Sequence, residues 1–200
     1  MSSKSEKTRA RILQTTLDLL ESGQPQLTRM SDIAKAAGIS RQALYLYFPN
    51  RAELLIGATK YLDEKVNIED SLVESRTAKT GKDRLDAFIR AWGNHIPVIY
   101  GVGRALLAMS ETDKEAAAAW ENRMAAVRHG CAAAVAALSR DGDLRDDLTE
   151  EIGTDLLWTL LSVRNWEALT QTCGWDQGQY LDEVTRLARL ALLPQTEPGT

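Results

Sequence analysis

Apolar residues recur along this chain at helical spacing, and the breaks between the stripes mark its elements. Between about Glu6 and Glu21, Ile12, Thr16, Leu19 and Leu20, with Leu13 and Leu17, make one broad face of a first helix. Lys4, Lys7 and Arg9 precede that face, either near a phosphate or in solvent. Gly23 ends the helix and Pro25 prevents its continuation. Met30, Ile33, Ala34 and Ala37 then form the stripe of a short second helix, with Thr28 as its N-cap type. Gly38 sits where a helix ends in a left-handed conformation, Ile39 fills the corner, and Ser40 caps a third helix carrying Leu44, Tyr47 and Phe48. Pro49 stops it, and Asn50 caps a fourth helix whose Leu54, Leu55, Ala58, Tyr61 and Leu62 face inward and which is expected to pass Val66.

Beyond that point the polar run from Glu74 to Asp83 reads as a loop. Leu85, Phe88, Ile89 and Trp92 mark an amphipathic helix that Pro97 should kink or end near His95. Gly101 and Gly103 mark a further break, and Arg104 to Ser110 reads as a short helix. A long helix follows Thr112-Asp113, with Trp120, Met124, Val127, Cys131, Ala134 and Leu138 on one stripe. The last two helices, about Thr149–Thr172 and Gln177–Leu193, are apolar on more than one face. Ile152, Leu156 and Val163 oppose Leu157, Leu161 and Ala168 in the first; Tyr180, Val184, Leu187 and Ala191 are joined by Leu181, Ala188 and Leu192 in the second. A helix with two apolar faces needs a second partner. The tail from Gln195 to Thr200 reads as disordered.

Helix, glycine turn, helix near the N-terminus is the helix-turn-helix plan, whose second helix enters the DNA major groove. The run IAKAAGIS, then LYLYF and an Asn-Arg pair, resembles the DNA-binding signature of TetR-type (tetracycline-repressor family) transcriptional regulators. Two positions depart from that pattern. Gln42 stands where the family often has Gly, and Arg51 where it often has Lys, so relatives' operator sequences do not transfer.

Charge changes the picture in one respect. The net charge is −4, yet residues 1–60 hold nine Lys/Arg against five Asp/Glu, leaving +4 there and −8 on the rest. A basic head on an acidic body suits a nucleic-acid contact confined to one end. With 44% hydrophobic residues and no long uncharged apolar run, a membrane span is not expected. No apolar segment follows the basic N-terminus as a secretory signal would. Cys131 and Cys173 stand far apart, which suits a reduced, cytoplasmic protein.

Chemistry narrows the DNA contacts. Arg41 and Gln42 occupy the first turn of the third helix, where Arg can chelate guanine O6 and N7 and Gln can pair with adenine N6 and N7. Ser40, which caps that turn, is a further candidate DNA contact, and Thr28, Arg29, Tyr45, Tyr47 and Arg51 are candidate phosphate anchors, the matching Thr, tyrosine and Lys positions doing this in the family. Tyr47 has core packing, and Arg29 plain solvation, as its alternative. The resemblance further implies a homodimer joined through the last two helices, with Leu157, Leu161, Val184, Leu187 and Ala191 as candidate interface residues. It also implies a pocket in the body for a mostly apolar or aromatic effector, with Phe88, Trp92, His95, Met109, Trp120, Met124, Trp158 and Asn165 as candidate lining. Each of these has plain core packing as its alternative.

Enzyme and metal motifs fail on inspection. Gly101-x-Gly103 follows no strand and lacks a third glycine; Asp141-Gly-Asp143 has Asp146 where a calcium loop needs Gly and Ile152 where it needs Glu. His95 and His129 are isolated, so no metal, cofactor or catalytic residue is expected. The expectation is therefore an all-α chain of about nine helices: a three-helix DNA-binding domain over 1–50, a ligand-binding and dimerisation domain over 51–194, and a tail over 195–200. The expected function is a ligand-responsive regulator of double-stranded operator DNA, acting as a repressor. The alternative is an architectural DNA-binding dimer without a ligand switch.

Overall fold

The computed structural model describes residues 3–22 and 28–194; Gly23, Pro25 and the 195–200 tail lie outside them. The described residues are helical, with no strand. In order they form α1 (Ser3–Glu21), α2 (Met30–Ala36), α3 (Arg41–Tyr47), α4 (Arg51–Lys65), α5 (Ile68–Ser71), α6 (Val73–Thr77), α7 (Gly81–Ser110), α8 (Lys114–Asp141), α9 (Glu150–Leu160), α10 (Val163–Glu167) and α11 (Gln177–Leu192). A π turn over Ala168–Thr172 follows α10. α5, α6, α10 and the π turn are single turns beyond the expected elements, and the break expected at Gly101 and Gly103 is absent, so the helices expected on either side of it are the one helix α7.

Two compact units emerge, one of residues 1–67 and 99–124, the other of 68–98 and 125–200. Helices α7 and α8 each contribute a segment to both. In the first unit the predicted stripes converge: Ile12, Leu13, Leu17 and Leu20 of α1, Met30, Ile33 and Ala34 of α2, Leu44 of α3, and Leu54, Leu55 and Ala58 of α4 are buried in one cluster. Val102, Leu106 and Met109 of α7 and Ala116 and Ala119 of α8 complete it. Full burial of side chains of this size contributes about 1.5–3 kcal/mol each, so this cluster holds the short helices α2 and α3 in place. Helix α4 stops at Lys65, short of the expected extension past Val66, because Asn67 takes a left-handed conformation at φ 52°.

In the second unit, Leu85, Phe88, Ile89 and Trp92 of α7 are buried, as are Val127, Cys131, Ala134 and Leu138 of α8 and Leu157 of α9. Tyr180, Val184, Ala188 and Leu192 of α11 are buried too, and α11 packs on α9. Three expectations are corrected. The polar run from Glu74 is helical through Thr77, because Ser75 is buried and its hydroxyl donates to the Arg84 carbonyl at 3.1 Å. The single long helix expected over Thr149–Thr172 breaks at Leu161–Ser162, where the Ser162 hydroxyl caps α10 by accepting from the Asn165 N–H.

The third correction concerns Pro97, which lies inside α7 without ending it. Proline has no N–H, so the carbonyl four residues back, that of Gly93, loses its intrahelical donor. The side chain of Gln177, at the start of α11, supplies the replacement: its Nε2 donates to the Gly93 carbonyl at 2.9 Å. Gln177 Oε1 in turn accepts from the indole N–H of buried Trp166 at 2.9 Å. One amide thus serves both groups, and the helix runs on to Ser110.

Candidate nucleic-acid interface

Local chemistry sets the angle between α2 and α3. Gly38 at φ 68° turns the chain, and the Ile39 N–H closes the turn on the Ala34 carbonyl at 3.0 Å. Ser40 Oγ accepts from the Ala43 N–H at 3.1 Å, starting α3, and Asn50 Oδ1 accepts from the Glu53 N–H at 2.8 Å, starting α4. Buried Leu44 and Phe48 fix the rotation of α3 about its axis.

That rotation decides which side chains face away from the domain. At about 100° per residue, Gln42 and Leu46 each stand about 160° from Leu44, so the two straddle the outward pole. Both are exposed, Leu46 at 88%. Arg41 and Tyr45 form one flank, the Arg41 Nη2 donating to the Tyr45 hydroxyl at 3.3 Å and its guanidinium lying 5.6 Å from the ring centroid. Tyr47 is on the other flank, half-buried against the core. Arg29 is exposed beside them at the start of α2.

Thr28 and Arg51 differ from the expectation of exposed anchors. Thr28 is fully buried, and the N-cap position of α2 is Arg29, without a side-chain bond. The Arg51 guanidinium, 11% exposed, donates from Nε to the Thr28 carbonyl at 2.6 Å and from Nη2 to the Thr28 hydroxyl at 2.9 Å. Its Nη1 pairs with Asp113 at 2.5 Å and approaches Glu115 at 3.7 Å. Asp113 also caps α8, accepting from the Glu115 and Ala116 N–H groups at 3.0 and 3.2 Å. Burial pushes the Asp113 carboxyl up, but the Arg51 hydrogen bond and the two backbone donors outweigh it, and its pKa lies below the usual aspartate value. Arg51 therefore ties the start of α4 and Thr28, just before α2, to the α7–α8 turn. An open cleft of about 870 Å³ lies alongside, lined by Arg29, Arg41, Tyr45, Asn50, Thr112 and Glu115 among others.

The candidate effector residues divide between the two units. Met109, Trp120 and Met124 belong to the first, Met109 buried in its core and the other two half-buried. Phe88, Trp92, His95, Trp158 and Asn165 belong to the second. There the Phe88 ring packs on α8 at Gly130, where a Cβ would come within 2.4 Å of it. The rings of Trp92 and buried His95 are 5.5 Å apart, and the Trp92 indole donates to the Leu161 carbonyl at 2.9 Å. Trp158 is half-buried, and the Asn165 amide donates to the Thr159 carbonyl at 2.6 Å, supporting the α9–α10 break. Sequence reasoning took Tyr180 as an apolar stripe residue. It is fully buried, and its hydroxyl has no hydrogen-bond partner among the described residues.

Of the candidate interface residues, Leu157, Leu161 and Val184 are buried inside the second unit and cannot face a partner in this conformation. Leu187 is exposed and Ala191 half-buried. The exposed large apolar residues of these helices are Ile152 and Leu156 of α9 and Leu187 and Leu190 of α11. No described helix is long and apolar enough to cross a membrane.

Comparison with known proteins agrees with this architecture. Residues 12–58 match the profile of the family described as bacterial regulatory proteins, tetR family. Over 121 residues the chain is 31% identical to the HTH-type transcriptional regulator EthR of Mycobacterium tuberculosis (strain ATCC 25618 / H37Rv). That match covers 56% of this chain and 53% of the other, so the chain spans about half the length of this curated relative. A solved structure described as a TetR-family transcriptional regulator from Rhodococcus sp. superposes with a TM-score of 0.73, covering 94% of this chain and 99% of that one at 17% identity. A transcriptional regulator from Saccharomonospora viridis, solved in complex with choline, gives 0.71, covering 95% and 100% at 17% identity. Likeness at that identity is one of fold.

Proposed function

We propose that this chain, whose residues 12–58 match the tetR family of bacterial regulatory proteins, is a regulator of that kind that represses transcription by binding operator DNA as a homodimer and is released by a small molecule. The observation that carries the DNA-binding part is the outward pole of α3. A core of buried leucines and aromatics fixes that helix so that Gln42, flanked by Arg41, projects away from the domain. Arg41 and Gln42 act as the base readers, and Arg29 and Tyr45 as phosphate contacts that set register without carrying sequence information. Two such heads meet half-sites about one helical turn, or a multiple of it, apart.

The dimer forms through the exposed face of α9 and α11, with Leu156 and Leu187 near its middle. Ile152, also exposed on α9, adds to that face. The effector is a mostly apolar or aromatic molecule held in the body by residues such as Trp92, Phe88 and His95. The choline-bound fold relative supports a small-molecule site in proteins of this architecture. Helices α7 and α8 run through both compact units, and the turn joining them holds Arg51 through Asp113. A shift of these helices on ligand binding changes where Arg51 holds the reading head.

Ligand acts as a switch only if it binds the DNA-competent and DNA-incompetent states differently. The test is reciprocal titration. Effector should weaken operator binding, and operator should weaken effector binding by the same factor, typically about 5–150-fold. Sequence-specific DNA binding that no small molecule bound by the protein alters would favour the unswitched architectural reading instead.

A further inference from the structure

Leu46 is the most exposed large apolar side chain among the described residues, at 88%, and it sits in the helix that this reading assigns to the major groove. Nothing in its own domain needs it there. The buried side of α3 is supplied by Leu44 and Phe48, and Leu46 stands at the opposite pole beside Gln42. The surroundings are cationic and polar, with Arg41 five residues before it, Arg29 lining the same cleft as Arg41 and Tyr45, and a net +4 over residues 1–60. A leucine at the centre of such a face suits a polyanion with an apolar spot on it, and not another protein's greasy surface. The major groove offers one such spot, the thymine 5-methyl group, which no other base carries.

We propose that Leu46 is a specificity-determining residue that reads a thymine methyl in each half-site, next to the base read by Gln42. This deepens the proposed function and rests on α3 entering the major groove. The register follows from helix geometry. Gln42 and Leu46 are one turn apart, about 6 Å along the helix, against a rise of about 3.4 Å per base step. They therefore address positions one or two steps apart. Gln42 selects adenine through N6 and N7, and Leu46 selects thymine over cytosine, because cytosine lacks the methyl and shows an N–H donor that leucine cannot pair. Each half-site should hold an adenine and a methyl-presenting thymine within that short span.

Binding-site selection on random duplex DNA supplies the operator, and thymines of its half-site are then replaced one at a time by deoxyuridine, which removes only the methyl. At one thymine the replacement should weaken wild-type binding about fourfold, the factor one buried methyl-sized group supplies. Leu46→Ala should bind the thymine operator about as weakly as wild type binds the deoxyuridine one, and should lose the difference between them. Because Leu46 is exposed, the variant should melt like wild type, and its affinity for non-specific DNA should not change. If an operator is selected but no thymine shows a methyl effect that Leu46→Ala abolishes, the inference fails and the DNA-binding reading stands. An equal loss on both operators would assign Leu46 another contact and overturn it too. If selection enriches no sequence, the regulator reading falls and this inference falls with it.

Discussion

Replacing Gln177 by alanine should reveal how the chain tolerates a proline in the middle of its longest helix. The change removes the donor to the Gly93 carbonyl and the acceptor for the Trp166 indole, both at 2.9 Å. Leaving a buried polar group unpaired costs about 1–3 kcal/mol. Gln177 is half-buried, so water partly replaces it, and the low end applies to each group. The total loss should be about 2–3 kcal/mol. The decisive comparison is the same substitution in a Pro97→Ala background. There the backbone regains an N–H able to serve the Gly93 carbonyl, so only the Trp166 deficit remains. Gln177→Ala should then cost about 1 kcal/mol less. Urea unfolding followed by circular dichroism on the four members of the cycle measures this directly, provided the m-values agree. Additivity within about 0.3–0.5 kcal/mol would refute the reasoning, since it would mean that Gln177 does not stand in for the missing proline N–H.

Asp113→Asn should weaken the tie between α4 and the α7–α8 turn. Because the folded Asp113 pKa lies below the usual value near 3.9, its contribution is present above that pH and is lost as pH falls through the folded value; the stability gap from wild type should therefore be full at pH 7 and close below about pH 4. Leu156→Asp or Leu187→Asp should give folded monomers by sedimentation, whereas Leu161→Asp and Val184→Asp should unfold the chain, because the first pair is exposed and the second buried. A thiol reagent at pH 8 should modify exposed Cys173 readily and leave Cys131 intact until denaturant is added, since burial pushes the Cys131 thiol up to about 12; equal rates would contradict the burial.

What the sequence made legible were features decided within one turn or one stripe. The α1 and α2 faces, the Gly38 turn and the caps at Ser40 and Asn50 depend on neighbours three or four residues away. What it hid were features whose partners are remote. Pro97 reads as a break because its compensating donor lies 84 residues from Gly93. Arg51 reads as a free phosphate anchor because Asp113, its counter-ion, is 62 residues on. The two apolar faces of α9 and α11 are equivalent in periodicity; only packing of α11 on α9 chose which to bury. The exposure of Leu46 is hidden for a related reason. A lone leucine in LYLYF carries no sign of its exposure until Leu44 and Phe48 fix the rotation of α3.

The account rests most heavily on α3 reading DNA sequence, and selection from random duplexes at near-physiological salt tests that directly. Wild-type protein should enrich a pseudo-palindrome whose half-sites lie about 10–10.5 base pairs apart or a multiple of it, and Gln42→Ala should cost about 1–3 kcal/mol there while relaxing preference at one position per half-site. Arg29→Ala should weaken binding evenly without altering the profile. Enrichment of no sequence, or a base profile that Arg41→Ala and Gln42→Ala both leave unchanged, would contradict it.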